Sequence, residues 1–169
     1  MVVTGNQGIN FLGASTAYYQ PILVEKQITV TDAGVWVQVA GGAGAQGRLS
    51  IYVASQSDYQ PGALVSDLGT VAVATTGAKT IGSLSVVLSP GLYLMRYQTD
   101  ANGTRPQFRG NRGFIGRGNT PMGGDDQFRY TAEAGVAFGA AENPGTTFGT
   151  GAGTSGGQFC YWVRMKWSV

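Results

Sequence analysis

The stretch LSVVLSPGLYLMRYQT, residues 84–99, contains two apolar segments joined by a tight turn. Leu84, Val86 and Leu88 alternate with other residues, and this period of two is typical of a half-buried strand. Ser89-Pro90-Gly91 has the composition of a turn, and an extended pattern resumes at residues 92–99. The stretch therefore predicts two strands joined by a turn.

Similar strand-like segments lie at short intervals before this stretch, at residues 18–24, 27–31, 35–39, 49–53 and 64–73. Pro21 predicts an edge position, because proline cannot donate a ladder hydrogen bond. The inward-facing sets are Val35, Val37 and Val39, then Leu49, Ile51 and Val53. With Gly and Pro signals between the segments, the pattern predicts an all-β, antiparallel β-sandwich or barrel. No segment combines a helix cap with an apolar stripe.

Glycine dominates the composition, at 28 of 169 residues, where about 7% is usual. Because Gly costs about 1 kcal/mol relative to Ala inside a helix, this content disfavours helices. The absence of a G-X-Y period excludes collagen. Hydrophobic residues make up 43% of the chain and its net charge is +2, so disorder is not expected.

The length suits one domain. We expect residues 1–16 to form an extended N-terminal arm, since they are small and polar around a short apolar patch. Residues 17–169 would form a single β-sandwich domain with a Gly/Arg-rich loop region at about residues 100–157. One more strand is expected within residues 127–138. The last stretch, QFCYWVRMKWSV (158–169), predicts a final strand that pairs with a segment remote in sequence.

Four motifs in residues 18–99 together resemble a module of bacteriophage structural proteins. They are YYQPILVEKQITV (18–30), RLSIYVAS (48–55), PGALVSDLGTVAV (61–73) and LSPGLYLMRY (88–97), and they occur in the order that the module has. The resemblance covers about half of the chain. It implies a jelly-roll-like sandwich and a structural or adhesive role in virions, in head decorations, tail fibres or appendages.

The residue types disfavour catalysis. The chain has no His and one Cys, Cys160. It therefore has no His-dependent nucleophile activation, no expected zinc site and no intramolecular disulfide. Asp125 and Asp126 are adjacent, so in a strand they would point to opposite faces. We expect no enzyme activity, no cofactor and no metal.

Arginines cluster in the Gly-rich region at Arg105, Arg109, Arg112 and Arg117, with Phe108 and Phe114 among them. Guanidinium groups suit carboxylates and phosphates. One interpretation is that these six residues bind an acidic partner, such as a capsid protein surface or an anionic glycan. The other is a solvated loop whose arginines pair with Asp100, Asp125 or Asp126. Nucleic acid is not expected as a partner, because a net charge of +2 gives no broad basic footprint.

Aromatic side chains can also stack on sugar rings, and Tyr59, in a predicted loop, is the candidate for a glycan contact. Trp36 lies in a predicted strand and is expected in a core or an interface. The N-terminus has no basic region followed by a long apolar run, so we expect no signal peptide. No stretch has the roughly 18 apolar residues of a membrane helix, and no membrane association is expected.

The resemblance, together with these observations, implies a virion structural protein, made in the host cytoplasm, that decorates or cements a capsid and binds other virion proteins. A homo-oligomer is expected because closed symmetry is the norm, and a trimer by family analogy alone. The N-terminal arm would order against another subunit. The alternative is a receptor- or glycan-binding module of a tail fibre or appendage, with a host surface glycan as its partner.

Overall fold

Antiparallel strands form the regular structure of the chain, as the composition predicts. The computed structural model describes residues 7–10, 16–55, 60–100, 103–110, 131–139, 141 and 166–168, and no helix occurs among them. Eleven strands lie in this part of the chain: β1 Gln7–Asn10, β2 Thr16–Val24, β3 Ile28–Val39, β4 Gln46–Ala54, β5 Pro61–Ala72, β6 Gly77–Ile81, β7 Val86–Leu88, β8 Gly91–Thr99, β9 Gln107–Gly110, β10 Thr131–Ala134 and β11 Lys166–Ser168.

The first sheet has five strands in the order β10-β2-β8-β4-β5. Its centre is β8, which pairs along most of its length with β2 on one side and with β4 on the other. β10 pairs only with residues 16–19 of β2. Pro21 is therefore in an interior strand, but it lies beyond the end of β10, at a position where β2 has β8 alone as a described neighbour. A missing N–H is tolerated there.

The second sheet has six strands and is built on β3. Val37 pairs both with Gly77 of β6 and with Phe108 of β9, so β6 and β9 lie along opposite edges of β3. β7 continues the edge that β6 begins, and β11 pairs with residues 29–32 of β3. The predicted pairing of the C-terminal strand with a remote partner is therefore confirmed.

A single long strand replaces two predicted ones in this sheet. Segments 27–31 and 35–39 were expected as separate strands, but β3 runs unbroken through both. The backbone of Gly34 lies so close to β6 that an added Cβ would be 2.2 Å from the carbonyl oxygen of Lys79. Glycine at this position therefore permits the close approach of β6 and does not end the strand.

Part of the predicted N-terminal arm pairs within the chain. Residues 7–10 form β1, in antiparallel register with β9, and Thr16 already belongs to β2. The pairing satisfies backbone groups on the edge of β9 that β3 leaves open. Contact of the arm with another subunit stays a prediction. Strand β10 lies inside residues 127–138, where one more strand was expected.

Side chains from both sheets share one core. Val35 and Val37 of β3, Leu49 and Ile51 of β4, and Met95 of β8 all belong to it. The alternating positions thus identify the inward faces. Val39 and Val53, which were also predicted to face inward, are exceptions. Both lie near strand ends and are exposed.

Gly47 makes room for the largest ring pair of this core. The Tyr97 and Phe108 rings meet edge to face, with centroids 4.8 Å apart, a favourable aromatic geometry. A Cβ on Gly47 would lie 2.6 Å from the Tyr97 hydroxyl oxygen and 3.0 Å from its Cε2. The β4 backbone therefore fits against the Tyr97 ring only without a side chain.

No helix among the described residues has the length and apolarity needed to cross a membrane.

We expect Gly47→Ala to lower the free energy of unfolding by about 1–3 kcal/mol, because an added methyl in a packed core forces shifts of this cost. Gly91→Ala is the matched control, since its Cβ would meet Tyr93 at an ordinary 3.6 Å. Urea unfolding of both variants measures the difference. Equal stability of the two would contradict the close packing of Tyr97 on β4.

Candidate functional site

The central strands of the five-stranded sheet, β2, β8 and β4, carry buried side chains on both faces. Its inner face carries the core shared with the second sheet. On its outer face a second apolar cluster contains Tyr19, Tyr52 and Leu94, with Ala17 and Ala54 beside them. The Tyr19 and Tyr52 rings meet edge to face at 5.5 Å. One face of an antiparallel sheet usually meets water, so the burial of this outer face marks it as a candidate site.

Polar side chains occupy the same buried face. Residues paired across antiparallel strands share a face, and the register aligns Tyr19, Arg96, Ser50 and Asp67 in one row across β2, β8, β4 and β5. The adjacent row contains Gln98 and Arg48, which also pair. We call the five polar residues of these rows the polar cluster: Arg48, Ser50, Asp67, Arg96 and Gln98.

Arg48 and Asp67 form the ion pair of the polar cluster. Arg48 Nε donates to Asp67 Oδ1 at 3.0 Å and to Oδ2 at 3.1 Å, and its Nη2 also donates to Oδ2. The geometry is two-pronged, the arrangement in which guanidinium–carboxylate contacts are strongest. About a fifth of each side chain remains exposed, 18% for Arg48 and 23% for Asp67.

Asp67 also accepts two backbone hydrogen bonds, from Gly69 N at 3.1 Å and from Ala141 N at 3.2 Å. Gly69 has a φ of 102°, which glycine adopts without strain. Desolvation raises the pKa of the Asp67 carboxyl, but the hydrogen bonds from Arg48, Ala141 and Gly69 and the charge of Arg48 outweigh it. The net effect holds this pKa below its ordinary value.

Arg96 and Gln98 form the second half of the polar cluster. Arg96 is 4% exposed and Gln98 is fully buried. Arg96 Nη2 donates to Gln98 Oε1 at 2.9 Å, and Gln98 Nε2 donates to the carbonyl oxygen of Val136 at 2.7 Å. Arg96 Nε and Ser50 Oγ are buried and have no hydrogen-bond partner among the described residues.

A crossing segment, residues 131–139 and Ala141, lies over this face. It begins as β10 beside β2. Val136 then packs on the outer apolar cluster and accepts the Gln98 hydrogen bond. Ala141 reaches Asp67 on β5, at the other edge of the sheet. The polar cluster therefore anchors the segment at two points.

The sequence-predicted site residues do not form one group in the described part of the chain. Arg105 is exposed. Arg109 lies in β9, where only its backbone is described. Arg112, Arg117, Phe114 and Tyr59 lie outside the described residues, as do Asp125 and Asp126. Asp100, considered as a partner for an arginine, accepts a hydrogen bond from Gln46 N at 2.6 Å.

Phe108 requires a correction, because it was assigned to partner binding. It is 1% exposed. Its pairing with Val37 turns the ring to the inner face, where it packs on Tyr97. Phe108 is a core residue, and its position among arginines in the sequence does not indicate exposure, since neighbouring strand residues point to opposite faces.

Trp36 was expected in a core or an interface, and it is not part of the core. It lies on the outer face of the second sheet and is 44% exposed. Ala78 pairs with it on β6, and Gly34 and Gln38 are its neighbours on the same face of β3. Gln38, Ala78 and Thr80 are exposed. The indole therefore lies beside small residues, and exposed polar residues lie on the same face of the sheet.

The described residues contain no group of three or more potential metal ligands among His, Cys, Asp and Glu.

The polar cluster escaped the sequence analysis, although a signal for it existed. Residues 49–54 and 92–95 are almost continuously apolar. Continuous runs, in contrast to alternation, are typical of strands buried on both faces. Ser50, Arg96 and Gln98 would then have been recognised as polar residues at buried positions.

Comparison of the chain with protein-family models, curated proteins and solved structures finds no match.

We expect Asp67→Asn to lower the free energy of unfolding at pH 7 by about 1–3 kcal/mol, because Arg48 loses its charged acceptor. The folded-state pKa of Asp67 is lowered, so its contribution to stability is present above the unfolded pKa of about 3.9 and is lost as the pH falls below it. The difference between wild type and variant should therefore shrink below about pH 4.

Urea unfolding at pH 7 and at acid pH measures this, with Glu25→Gln, at an exposed turn position, as the control. A difference that stays constant with pH would show that the Asp67 charge does not stabilise the fold.

Proposed function

We propose that this chain is a structural protein of a bacteriophage virion, a capsid-decorating or cementing subunit with a jelly-roll β-sandwich. One observation carries the proposal. The four motifs of the resemblance coincide with β2, β4, β5 and β8, and these are neighbours in one sheet, in the order β2-β8-β4-β5. Motifs spread along 80 residues therefore build one structural unit.

The core supports the sandwich architecture in this proposal. Both sheets contribute side chains to one apolar cluster, as packed sheets do in sandwiches. The turn residues of the motifs also lie at strand ends. Pro61-Gly62 begins β5, and Ser89-Pro90 precedes β8.

Exposed apolar side chains support a protein partner. Leu23, Val53 and Val87 are exposed, at 66%, 44% and 55%. They lie near the carboxyl ends of β2, β4 and β7, which meet at one end of the fold, since Leu23 pairs with Leu92 and Val53 with Tyr93. Leu23 and Val53 point to opposite faces of the sheet, so a partner that contacts both, another virion protein or a further copy of this chain, would bind at this end of the fold.

We expect the protein in purified phage heads, at a copy number proportional to that of the major capsid protein. Quantitative mass spectrometry of separated heads and tails measures this. A few copies confined to tails would support the alternative function, and absence from purified particles would refute a virion role.

If Arg105, Arg109, Arg112 and Arg117 dock the subunit, replacing all four by Gln should leave folding intact and reduce incorporation into particles, more so at raised salt.

A glycan-binding module of a tail fibre or appendage is the second candidate, and the exposed Trp36 favours it. An aromatic ring presents an apolar face on which a pyranose can stack, while side-chain amides and hydroxyls bond its hydroxyl groups. Trp36 is 44% exposed, and Gln38 and Thr80 are exposed polar residues on the same face of the sheet.

We expect Trp36→Ala to abolish binding to host surface polysaccharide, if this second function is correct, while the variant still folds. Val87→Ala is the control, because Val87 is an exposed apolar residue elsewhere in the same sheet. Glycan-array binding of the isolated proteins, with melting temperatures in parallel, gives the answer. Binding that survives in Trp36→Ala would remove Trp36 as the sugar platform.

A further inference from the structure

Arg96 is a buried cation without a compensating charge among the described residues. Arginine stays protonated in proteins, and this guanidinium is 4% exposed. Its hydrogen bond goes to the neutral amide oxygen of Gln98. An isolated buried charge costs several kcal/mol even after relaxation. Buried charges in proteins are as a rule paired with an opposite charge.

Asp67, the one acid of the polar cluster, already has hydrogen-bond donors at both carboxylate oxygens. Its two oxygens accept hydrogen bonds from Arg48, Gly69 and Ala141, and a carboxylate has about four acceptor sites. The other acids with described side chains lie elsewhere: Glu25 in the turn after β2, Asp32 in the second sheet, and Asp100 bonded to Gln46.

Ser50 adds a second free donor next to Arg96. The two residues pair across β4 and β8, so their side chains are neighbours on the same face. Ser50 Oγ is buried and, like Arg96 Nε, has no partner among the described residues. A guanidinium N–H and a hydroxyl at adjacent positions suit an acceptor with two oxygens and a negative charge.

We propose that Arg96 and Ser50 form a carboxylate-binding site on the outer face of the five-stranded sheet, under the crossing segment. Gln98 orients the guanidinium through its side-chain oxygen and holds the crossing segment through its nitrogen. The carboxylate neutralises Arg96, and its binding stabilises the native state. The site does not depend on the proposed virion role, because it concerns the isolated chain.

The ligand is a small free carboxylate from solution. Titration of the wild type with sodium formate, against sodium chloride at equal ionic strength, tests for it.

For a free ligand, formate should raise the melting temperature of the wild type by about 3 °C at ten times the dissociation constant. Arg96→Met, which replaces the charge by an apolar side chain, should show no response. Arg105→Gln, at an exposed arginine, should respond as its parent does.

The absence of a formate response in the wild type overturns the proposal, as does an undiminished response in Arg96→Met. Should Arg96→Met not fold, Ser50→Ala keeps the cation and removes the second donor, and formate affinity should fall about tenfold, the effect of one lost hydrogen bond. The NMR resonance of the Arg96 Nε–H group should shift with formate in the responsive protein. An unmoved resonance there counts against the site equally.

Discussion

The burial of one sheet on both faces is the constraint on which the rest of the structure depends. β8 lies at the centre of this sheet and alternates strictly. Met95 and Tyr97 enter the core shared with the second sheet, while Leu94 and Arg96 enter the opposite face. A sheet of this kind needs a cover on each side. The second sheet provides one cover, and the crossing segment contributes to the other.

The outer cover explains why polar residues are tolerated on a buried face. A short segment with few apolar side chains gains little from hydrophobic burial, so it needs directional contacts to hold its position. Gln98 and Asp67 supply them to the carbonyl of Val136 and the N–H of Ala141. Each of these backbone groups would otherwise lose a partner on burial, which costs about 1–3 kcal/mol. The polar cluster thus fixes the path of the chain over the sheet.

Period-two patterning predicted the all-β class, the antiparallel sheets and most strand positions, because alternation reports directly on a strand with one buried face. It could not predict the burial of Ser50, Arg96 and Gln98. Whether a polar face meets water or protein depends on the crossing segment, which is remote in sequence, and local pattern holds no information about it. Phe108 shows the same limit. Its arginine neighbours suggest a surface, but its pairing with Val37 decides that it is buried.

The division between scaffold and surface also bears on function. The motifs of the phage resemblance form β2, β4, β5 and β8, and most of their side chains are committed to the two buried faces. Residues used for packing constrain the architecture and leave the partner open. Selectivity for a partner must then come from side chains that the packing does not use. Trp36 on the second sheet and Arg105 before β9 meet this condition, since both are exposed and neither is a member of the core. Under either proposed function, capsid binding or glycan binding, we expect exposed positions of the second sheet and its loops to make the contact.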